Sequence, residues 1–397
     1  MYFVRKGDVM QKRIRRRRNR KIDGIVGLVL AAFVLLLMVC NLLAPDSDFS
    51  ERESRVLAQR PKLTLSSLLT GDFMEKYEEY LTDQFVCRSM WKNLKVALKR
   101  IGGEREESGV LLGDDSQLFE QLESLNQDNI SETTAALQAF AEAHSDININ
   151  MMLVPDAVTV LEDKRPYLAT VPDQNYMITQ VKLKLGEEIG WIDVTETLNE
   201  HSTEKIYYQT DARWTSLGAY YAFGAAVPQL GIVSDYTSEY AAYPVSTTFN
   251  GTLAAKSGYC LDVREQMDIY VPKGKDNDVV INYVDEQRKT TSLYDSSYLG
   301  SSNPYGLFLG EDTSVVDIRT AAKSSRRMLV VKDSFANCFI PFLTPHFREI
   351  VVVDPHYYSG TLETIIETYR ISDVLFLYSG NGFFQDNSLS GVLGSEQ

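Results

Sequence analysis

Histidine and cysteine are scarce in this sequence of 397 residues. The chain has four of each: His144, His201, His346 and His356, and Cys40, Cys87, Cys260 and Cys338. No two cysteines form a CxxC pair, and no cluster of the two residue types has the spacing of zinc ligands. We therefore predict no metal site and no other cofactor. Three of the cysteines lie beyond residue 45, and buried free thiols account for this odd number better than a single disulfide does.

Basic residues are outnumbered as well, since 40 Lys and Arg against 54 Asp and Glu give a net charge of −14. Residues 1–24 nevertheless carry ten basic residues and two Asp, a local balance of +8 that leaves −22 for the rest of the chain. Considered alone, the segment KRIRRRRNRK is typical of nucleic-acid binding. The acidic remainder of the chain and the apolar stretch that follows this segment argue against a nucleic-acid partner.

Residues 24–45, GIVGLVLAAFVLLLMVCNLLAP, contain no charged side chain and have the length of a helix that crosses a bilayer. A basic cluster before such a stretch places the N-terminus in the cytoplasm. We predict a basic cytoplasmic tail over 1–23, a transmembrane signal anchor over 24–45, and a single-pass cell-membrane protein whose main domain is extracellular. The alternative is a cleaved signal peptide, whose apolar stretch is normally shorter and ends in small residues.

Residues 46–103 are predicted to form a polar stalk followed by a helical segment. Apolar residues such as Phe73 and Tyr77 recur at spacings of three and four over 67–100, which is the helical period, and Gly102 with its neighbouring glycine is expected to end the helix.

From residue 104 onward, apolar strands alternate with helical segments. Strands are predicted at 109–113, 147–155, 190–194, 326–334, 348–355 and 373–381, and helices at 131–144, 176–188, 215–230 and 362–369, with Ser131 capping the first helix. This alternation predicts an α/β domain over 104–397, with a parallel sheet covered by helices on both faces. The polar segment 232–325 interrupts the pattern and is expected to be an insertion at the mouth of the site.

In a parallel sheet, ligands bind at the carboxyl ends of the strands, and several polar residues fall there. Ser334 follows one strand and precedes a predicted helix, which would expose a nucleophile beside unpaired backbone N–H groups. The alternative is that Ser334 only caps that helix. His356, after the next strand, is either a catalytic base or a solvated loop residue. Asn337 is a candidate donor to an oxyanion.

A second cluster of polar residues lies in the stretch YYQTDARWTSLGAYYAFG at 207–224. Asp211 either orients a catalytic group, caps the following helix, or pairs with Arg213. Trp214 is either a platform for a ligand or an anchor in the core.

These stretches together resemble the DHHW family, exported bacterial proteins related to the alginate O-acetylation proteins, from about Asp48 to the C-terminus. The resemblance is carried by FSERESRVLA, GDFMEKYEEYLTDQFVCRSMWKNLK, GVLLG, LVPDAVTVL, YYQTDARWTSLGAYYAF, FNGTLAAKSG, YGLFLG, VVKDSFANCFIPFL and EIVVVDPHYYSG. It implies an SGNH-hydrolase-like α/β fold and a serine-dependent O-acetyltransferase or esterase acting on a polysaccharide. It also implies catalytic roles for Ser334 (nucleophile) and Asp211 (orienting acid), and substrate-binding or oxyanion roles for Arg213, Trp214, Asn337 and Tyr357.

The sequence departs from this family at the residue that should supply the catalytic base. The family loop has the form Asp-x-His-Trp, but Arg213 occupies the histidine position, and an arginine cannot accept a proton from serine. His356 stands where the family has arginine, so an exchange of the two positions would make His356 the base. Lys332 replaces a small residue that usually precedes the serine turn.

Two functional hypotheses therefore follow. The first is a membrane-anchored enzyme that transfers or removes O-acetyl groups on a cell-surface or exopolysaccharide, with His356 activating Ser334. The second is a catalytically degenerate family member that binds a glycan or holds a membrane-bound acyltransferase partner, with Arg213 as a binding group. Whether an imidazole reaches Ser334 distinguishes the two.

Overall fold

The computed structural model describes residues 6–50, 55–64, 72–122, 126–167, 169–233, 239–259, 261, 263–273, 278–301, 303–310 and 313–394. The chain divides into two compact units. The first consists of Met1–Glu51 and Arg55–Lys95, and the second of Arg52–Ser54 and Val96–Gln397.

The first unit begins with a long helix, α1, at Lys6–Leu43. Its segment Gly24–Leu43 is long and apolar enough to cross a membrane. At about 1.5 Å per residue these residues span roughly 30 Å, which is the thickness of the hydrocarbon core. The rest of the unit contains the short antiparallel pair β1 and β2 (Phe49–Ser50 and Arg55–Val56), helix α2 (Asp72–Asp83), and the beginning of helix α3 (Arg88–Ile101).

The helical segment predicted over 67–100 is two helices rather than one. The chain between α2 and α3 turns at Cys87, whose φ of 56° is incompatible with a continuous right-handed helix. The predicted end at the glycine pair is confirmed, because α3 ends at Ile101 and Gly103 has a φ of 88°. Residues 65–71 lie outside the described residues.

The second unit is built on an eight-stranded sheet in the order β11-β10-β12-β14-β13-β15-β6-β7. Its strands are β6 Asn148–Val154, β7 Gly190–Trp191, β10 Val279–Tyr283, β11 Arg288–Thr290, β12 Val315–Thr320, β13 Arg327–Lys332, β14 Glu349–Val353 and β15 Asp373–Ser379. The five strands from β14 to β7 are parallel to their neighbours, whereas β11, β10 and β12 add to β14 in antiparallel fashion.

Other strands and helices surround this sheet. A small antiparallel sheet comprises β3 Glu106–Glu107, β4 Val110–Leu112 and β5 Leu118–Glu120, and a long hairpin comprises β8 Tyr240–Phe249 and β9 Glu265–Pro272. The α-helices are α4 Gln127–Ala143, α5 Ala157–Val160, α6 Gln174–Leu185, α7 Thr195–Glu200, α8 Ser216–Ala226, α9 Thr252–Ser257, α10 Leu362–Tyr369, α11 Gly380–Gln385 and α12 Ser388–Val392. Short 3₁₀-helices occur at Asp114–Ser116, Glu162–Lys164, Ser296–Gly300, Pro304–Leu307, Ser334–Cys338 and Ile340–Phe342.

Apolar side chains alternate between the two faces of the central sheet, and each face is covered. In β13, Leu329 and Val331 pack on the face covered by α4, α6 and α10, whereas Met328 and Val330 pack on the face covered by α8 and the 3₁₀ turns after β13. Strands buried on both faces explain the near-continuous apolar runs in the sequence. The predicted class, an SGNH-hydrolase-like α/β sheet with helices on both faces, is confirmed.

Several details correct the sequence prediction. The sheet is mixed rather than fully parallel, because only four residues join β10 to β11, and a tight turn of that length connects antiparallel strands. The helix predicted from Ser131 begins at Gln127, and the Asn126 side chain caps it by accepting a hydrogen bond from the Asn129 amide. The helix predicted after Ser334 is a pair of 3₁₀ turns, since Pro341 disfavours an α-helical conformation before it.

Candidate functional site

Four neighbouring parallel strands end at one edge of the sheet, and each is followed by a polar residue. Ser334 follows β13, Asp354 follows β14, Asn381 follows β15, and Asp156 follows β6. The Asp156 carboxylate accepts hydrogen bonds from the Asn381 amide at 2.7 Å and from Gln174 Nε2 at 2.5 Å. Burial raises the pKa of Asp156 to about 7, although both hydrogen bonds oppose this shift.

The turn that carries Ser334 is fixed by its neighbour Asp333. The Asp333 carboxylate caps the 3₁₀-helix by accepting from the Phe335 amide at 2.9 Å, and it accepts from the Ser379 amide of β15 at 2.8 Å. Burial raises the pKa of Asp333 despite these bonds. The alternative in which Ser334 caps the helix is therefore wrong, and the Ser334 hydroxyl makes no hydrogen bond with any of the described residues.

The second loop places Asp211 and Arg213 in a bidentate ion pair. Arg213 Nε lies 2.6 Å from one Asp211 oxygen and Nη2 lies 2.8 Å from the other, and both residues are buried. Burial raises the pKa of Asp211, but the charge and hydrogen bonds of Arg213 outweigh it and leave the pKa below its ordinary value. Burial lowers the pKa of Arg213, but Asp211 raises it further, so the guanidinium stays protonated.

The surrounding chain holds Asp211 closely. Its carboxylate also accepts from the Thr252 amide at 2.9 Å and from the Thr252 hydroxyl at 3.2 Å. Gly251 permits this approach, because a Cβ atom there would lie 2.4 Å from Asp211 Cβ. The helix that follows the loop is capped by Thr215, whose side chain accepts from the Gly218 amide, and not by Asp211. Among the alternatives for Asp211, the structure shows the salt bridge.

Trp214 joins the two loops without reaching the pocket. It is fully buried, and its Nε1 donates a hydrogen bond of 2.7 Å to the carbonyl of Phe335, the residue after Ser334. Its ring contacts the rings of Phe335 and Phe339. The side chain therefore acts as a core anchor that positions the serine turn.

Arg213, Ser334, Asn337 and Tyr357 line one pocket of about 120 Å³. Tyr305 and the Lys332–Asp354 pair also line it, with Lys332 Nζ 2.8 Å from Asp354 Oδ2. The guanidinium carbon of Arg213 lies 3.7 Å from the centre of the Tyr305 ring, a cation–π contact. Asn337 is buried, and its Oδ1 has no hydrogen-bond partner among the described residues, so a ligand that donates a hydrogen bond would satisfy it.

His356 does not line this pocket. Its imidazole is exposed, and Nδ1 lies 3.1 Å from Oδ2 of Asp386, which follows α11. The phenylalanines of α11 pack on the sheet face opposite to that of Val352, which lines the pocket. The structure thus brings Ser334, Arg213, Asn337 and Tyr357 together and directs His356 to another carboxylate.

The other three histidines are also engaged elsewhere. His144 lies 3.7 Å from Glu363, His201 lies 2.7 Å from Glu204, and His346 lies 3.6 Å from Glu239 and stacks on Phe223. Among the residues that the structure describes, no imidazole lines the pocket, and no group of three or more His, Cys, Asp or Glu side chains is placed to hold a metal ion.

Sequence reasoning did not assign a role to three residues of the site. Thr252 supports Asp211, Tyr305 stacks on Arg213, and Asp354 pairs with Lys332. A signal was present for each, because Thr252 lies in FNGTLAAKSG, Tyr305 in YGLFLG and Asp354 in EIVVVDPHYYSG. These contacts join segments far apart in the chain, and their partners cannot be deduced from spacing.

Comparisons with known proteins agree on one relationship. The family model described as DHHW protein matches residues 99–353. A DHHW family protein from Eubacterium siraeum superimposes with a TM-score of 0.61 at 24% identity, over 72% of this chain and 95% of that one. Bacillus cereus PatB1 with a sulfonyl adduct gives 0.57 at 20% identity, over 70% and 96%. The O-acetyltransferase domain of Pseudomonas putida AlgJ gives 0.46 at 14% identity, over 72% and 99%. A search of curated proteins found no match.

Proposed function

This chain belongs to the DHHW family, and from that premise we propose that it acts in the O-acylation of a cell-surface or exopolysaccharide as a glycan-binding member without serine catalysis. The observation that supports this proposal is the Arg213–Asp211 pair. It occupies the position of the catalytic histidine, in a pocket that holds Ser334 but, among the described residues, no imidazole.

Proton transfer is the step that this pocket does not support. A serine hydroxyl needs a nearby base with a pKa close to neutral before it can attack an ester. Arg213 stays charged, Lys332 is held by Asp354, and the Asp211 carboxylate is taken up by Arg213 and Thr252. Without a base, an enzyme of this type keeps only roughly 10³–10⁴-fold acceleration over water from binding and its oxyanion hole.

Binding is the step that the pocket supports better. Arg213 Nη1, Lys332 Nζ and the Ser334 hydroxyl can donate hydrogen bonds, and Asn337 Oδ1 can accept one. Hydroxyl and ester groups of an acylated sugar match this mixture of donors and an acceptor. We propose that such a glycan is the ligand and that α1 anchors the chain to the membrane with residues 1–23 in the cytoplasm. Holding a membrane-bound acyltransferase partner is a compatible role for the same protein.

The test compares the purified full-length chain with its Ser334→Ala variant in detergent. Both are assayed with 4-nitrophenyl acetate and on an array of acetylated and deacetylated bacterial polysaccharides. We expect equal hydrolysis rates, no acetyl group on Ser334 by mass spectrometry, and glycan binding that Arg213→Ala weakens. A wild-type hydrolysis rate more than about tenfold above that of Ser334→Ala would reject the absence of catalysis.

An active O-acetyltransferase or esterase is the second candidate, and the His356–Asp386 contact favours it. A carboxylate 3.1 Å from Nδ1 is the arrangement that orients a catalytic imidazole, and Nε2 then remains available. A movement of the loop after β14 would be required to bring that nitrogen to Ser334. Here His356→Ala should abolish hydrolysis as completely as Ser334→Ala does, whereas the binding function predicts that His356→Ala changes nothing.

A further inference from the structure

Helix α3 presents an apolar stripe that the structure leaves uncovered. Met90, Leu94, Leu98 and Ile101 recur every three or four residues along one side of the helix, and each is between 48% and 84% exposed. In a soluble protein such a stripe normally packs into the core. Exposed apolar residues that adjoin one another mark a surface that binds something else.

The opposite side of α3 is the side that contacts protein. Val96 lies there, is buried, and packs in a cluster with Val110, Leu118 and Leu253. The helical period places Val96 about half a turn from Leu94 and Leu98. The apolar stripe therefore points away from that cluster.

The composition and the contacts of this region fit a bilayer surface. Helix α3 contains five basic residues and no acidic one, in a chain of net charge −14. Basic amphipathic helices bind the interface of membranes that contain anionic lipids. The region also touches the apolar span of α1, because the Trp91 ring lies 6.4 Å from that of Phe33 and the Val86 amide donates to Asn41 Oδ1 at 3.0 Å.

We infer that α3 is an interfacial membrane helix, with its apolar stripe in the outer part of the acyl chains and its basic residues among anionic headgroups. This inference rests on the anchoring part of the proposed function and not on the Ser334 pocket. A second copy of the chain fits the stripe less well. Helix α3 has only 14 residues, two heptads, and its basic residues would repel those of an identical helix.

The experiment measures the depth of α3 in the full-length chain. Cys40, Cys87 and Cys260 are replaced by serine, and the buried Cys338 is retained. A nitroxide is attached at Leu94→Cys or at Leu98→Cys, and the matched control is Lys92→Cys on the other side of the same helix. Each protein is reconstituted in vesicles of phosphatidylcholine and phosphatidylglycerol. Collisions with oxygen, which partitions into acyl chains, and with a water-soluble nickel complex are measured by electron paramagnetic resonance.

We expect the ratio of oxygen to nickel collisions to be several-fold higher at both apolar positions than at Lys92→Cys. Equal nickel access at all three positions would overturn the inference. Low access of both reagents at positions 94 and 98 would indicate a protein contact, such as a second copy, and would overturn it as well. Flotation of the chain with the vesicles tests the anchor separately. A chain that does not float rejects both, whereas a floating chain with water-accessible stripe positions rejects only the interfacial helix.

Discussion

The guanidinium of Arg213 binds both carboxylate oxygens of Asp211, at 2.6 and 2.8 Å, in a loop where the family has histidine. An imidazole that pairs with this carboxylate through one nitrogen keeps the other nitrogen for a serine. The guanidinium has no nitrogen that can accept a proton. The loop therefore keeps its hydrogen-bonding frame, including Thr252 and Gly251, while losing the one group that could activate Ser334.

The ion pair should contribute to stability in a way that depends on both partners. Arg213→Met would leave the buried Asp211 carboxylate without its counter-charge, and we expect a loss of about 3–5 kcal/mol in the free energy of unfolding. The pKa of Asp211 is lowered in the folded protein, so the wild-type contribution is present above pH 4 and is lost as pH falls further. Urea denaturation of the full-length chain in detergent at pH 7 and pH 4 measures both effects.

The double variant Asp211→Asn/Arg213→Met is the control, because it removes the unpaired charge. It should regain part of the loss at pH 7. A single variant that loses less than about 1 kcal/mol would contradict a role for this pair in holding the loop.

Restoring the histidine should create activity. In Arg213→His, Thr252 and Gly251 still position Asp211, and an imidazole with a pKa near neutral then shares the pocket with Ser334. We expect the hydrolysis of 4-nitrophenyl acetate to rise by roughly 10²–10⁴-fold, the usual contribution of a general base. The rate is measured in a stopped assay with the purified full-length chain.

The companion variants show whether the gain has the predicted origin. Arg213→His/Ser334→Ala should fall back to the background rate, and Arg213→Gln, which removes the charge without adding a base, should not gain. A gain that survives the loss of Ser334 would show that the new imidazole acts on its own and not through this serine.

The sequence revealed the central strands and the two site loops, but not how their side chains meet. The apolar runs of β13, β14 and β15 follow from burial on both faces, and local composition is sufficient to detect that. The antiparallel edge and the Asn126 cap were missed because neither leaves a long periodic signal. The direction of His356 could not be predicted, since its partner Asp386 lies on another loop and the choice between carboxylate and serine is made by tertiary packing.

The native cysteines offer a test of the predicted topology. Cys87 is exposed, whereas Cys338 is buried. In a variant with Cys40 and Cys260 replaced by serine, a membrane-impermeant maleimide applied to intact cells should label the protein if the chain beyond α1 is extracellular. The further change Cys87→Ser should abolish the labelling. Labelling that appears only after the cells are opened would place this region in the cytoplasm, and a labelled protein shortened by removal of α1 would identify a cleaved signal peptide.

The buried carboxyl of Asp156 predicts a pH dependence of stability. Its pKa of about 7 in the folded protein lies above the ordinary value of 3.8. Between these two pH values the unfolded chain releases the proton while the folded chain retains it, so stability should fall as pH rises from 4 to 7 and stay constant above that. At about 1.4 kcal/mol per pKa unit, the loss attributable to this group is on the order of 2–4 kcal/mol.

Asp156→Asn should remove that dependence, because a neutral amide oxygen can still accept from the Asn381 amide and Gln174 Nε2. We expect the variant to match the wild type or be less stable near pH 4, and to exceed it at pH 8. Urea midpoints at pH 4, 5.5 and 8 measure the difference, and Asp163→Asn at an exposed position is the matched control. If the two proteins lose stability with pH at the same rate, Asp156 is already ionised in the folded protein, and the strand edge beside Ser334 carries one more negative charge than burial implies.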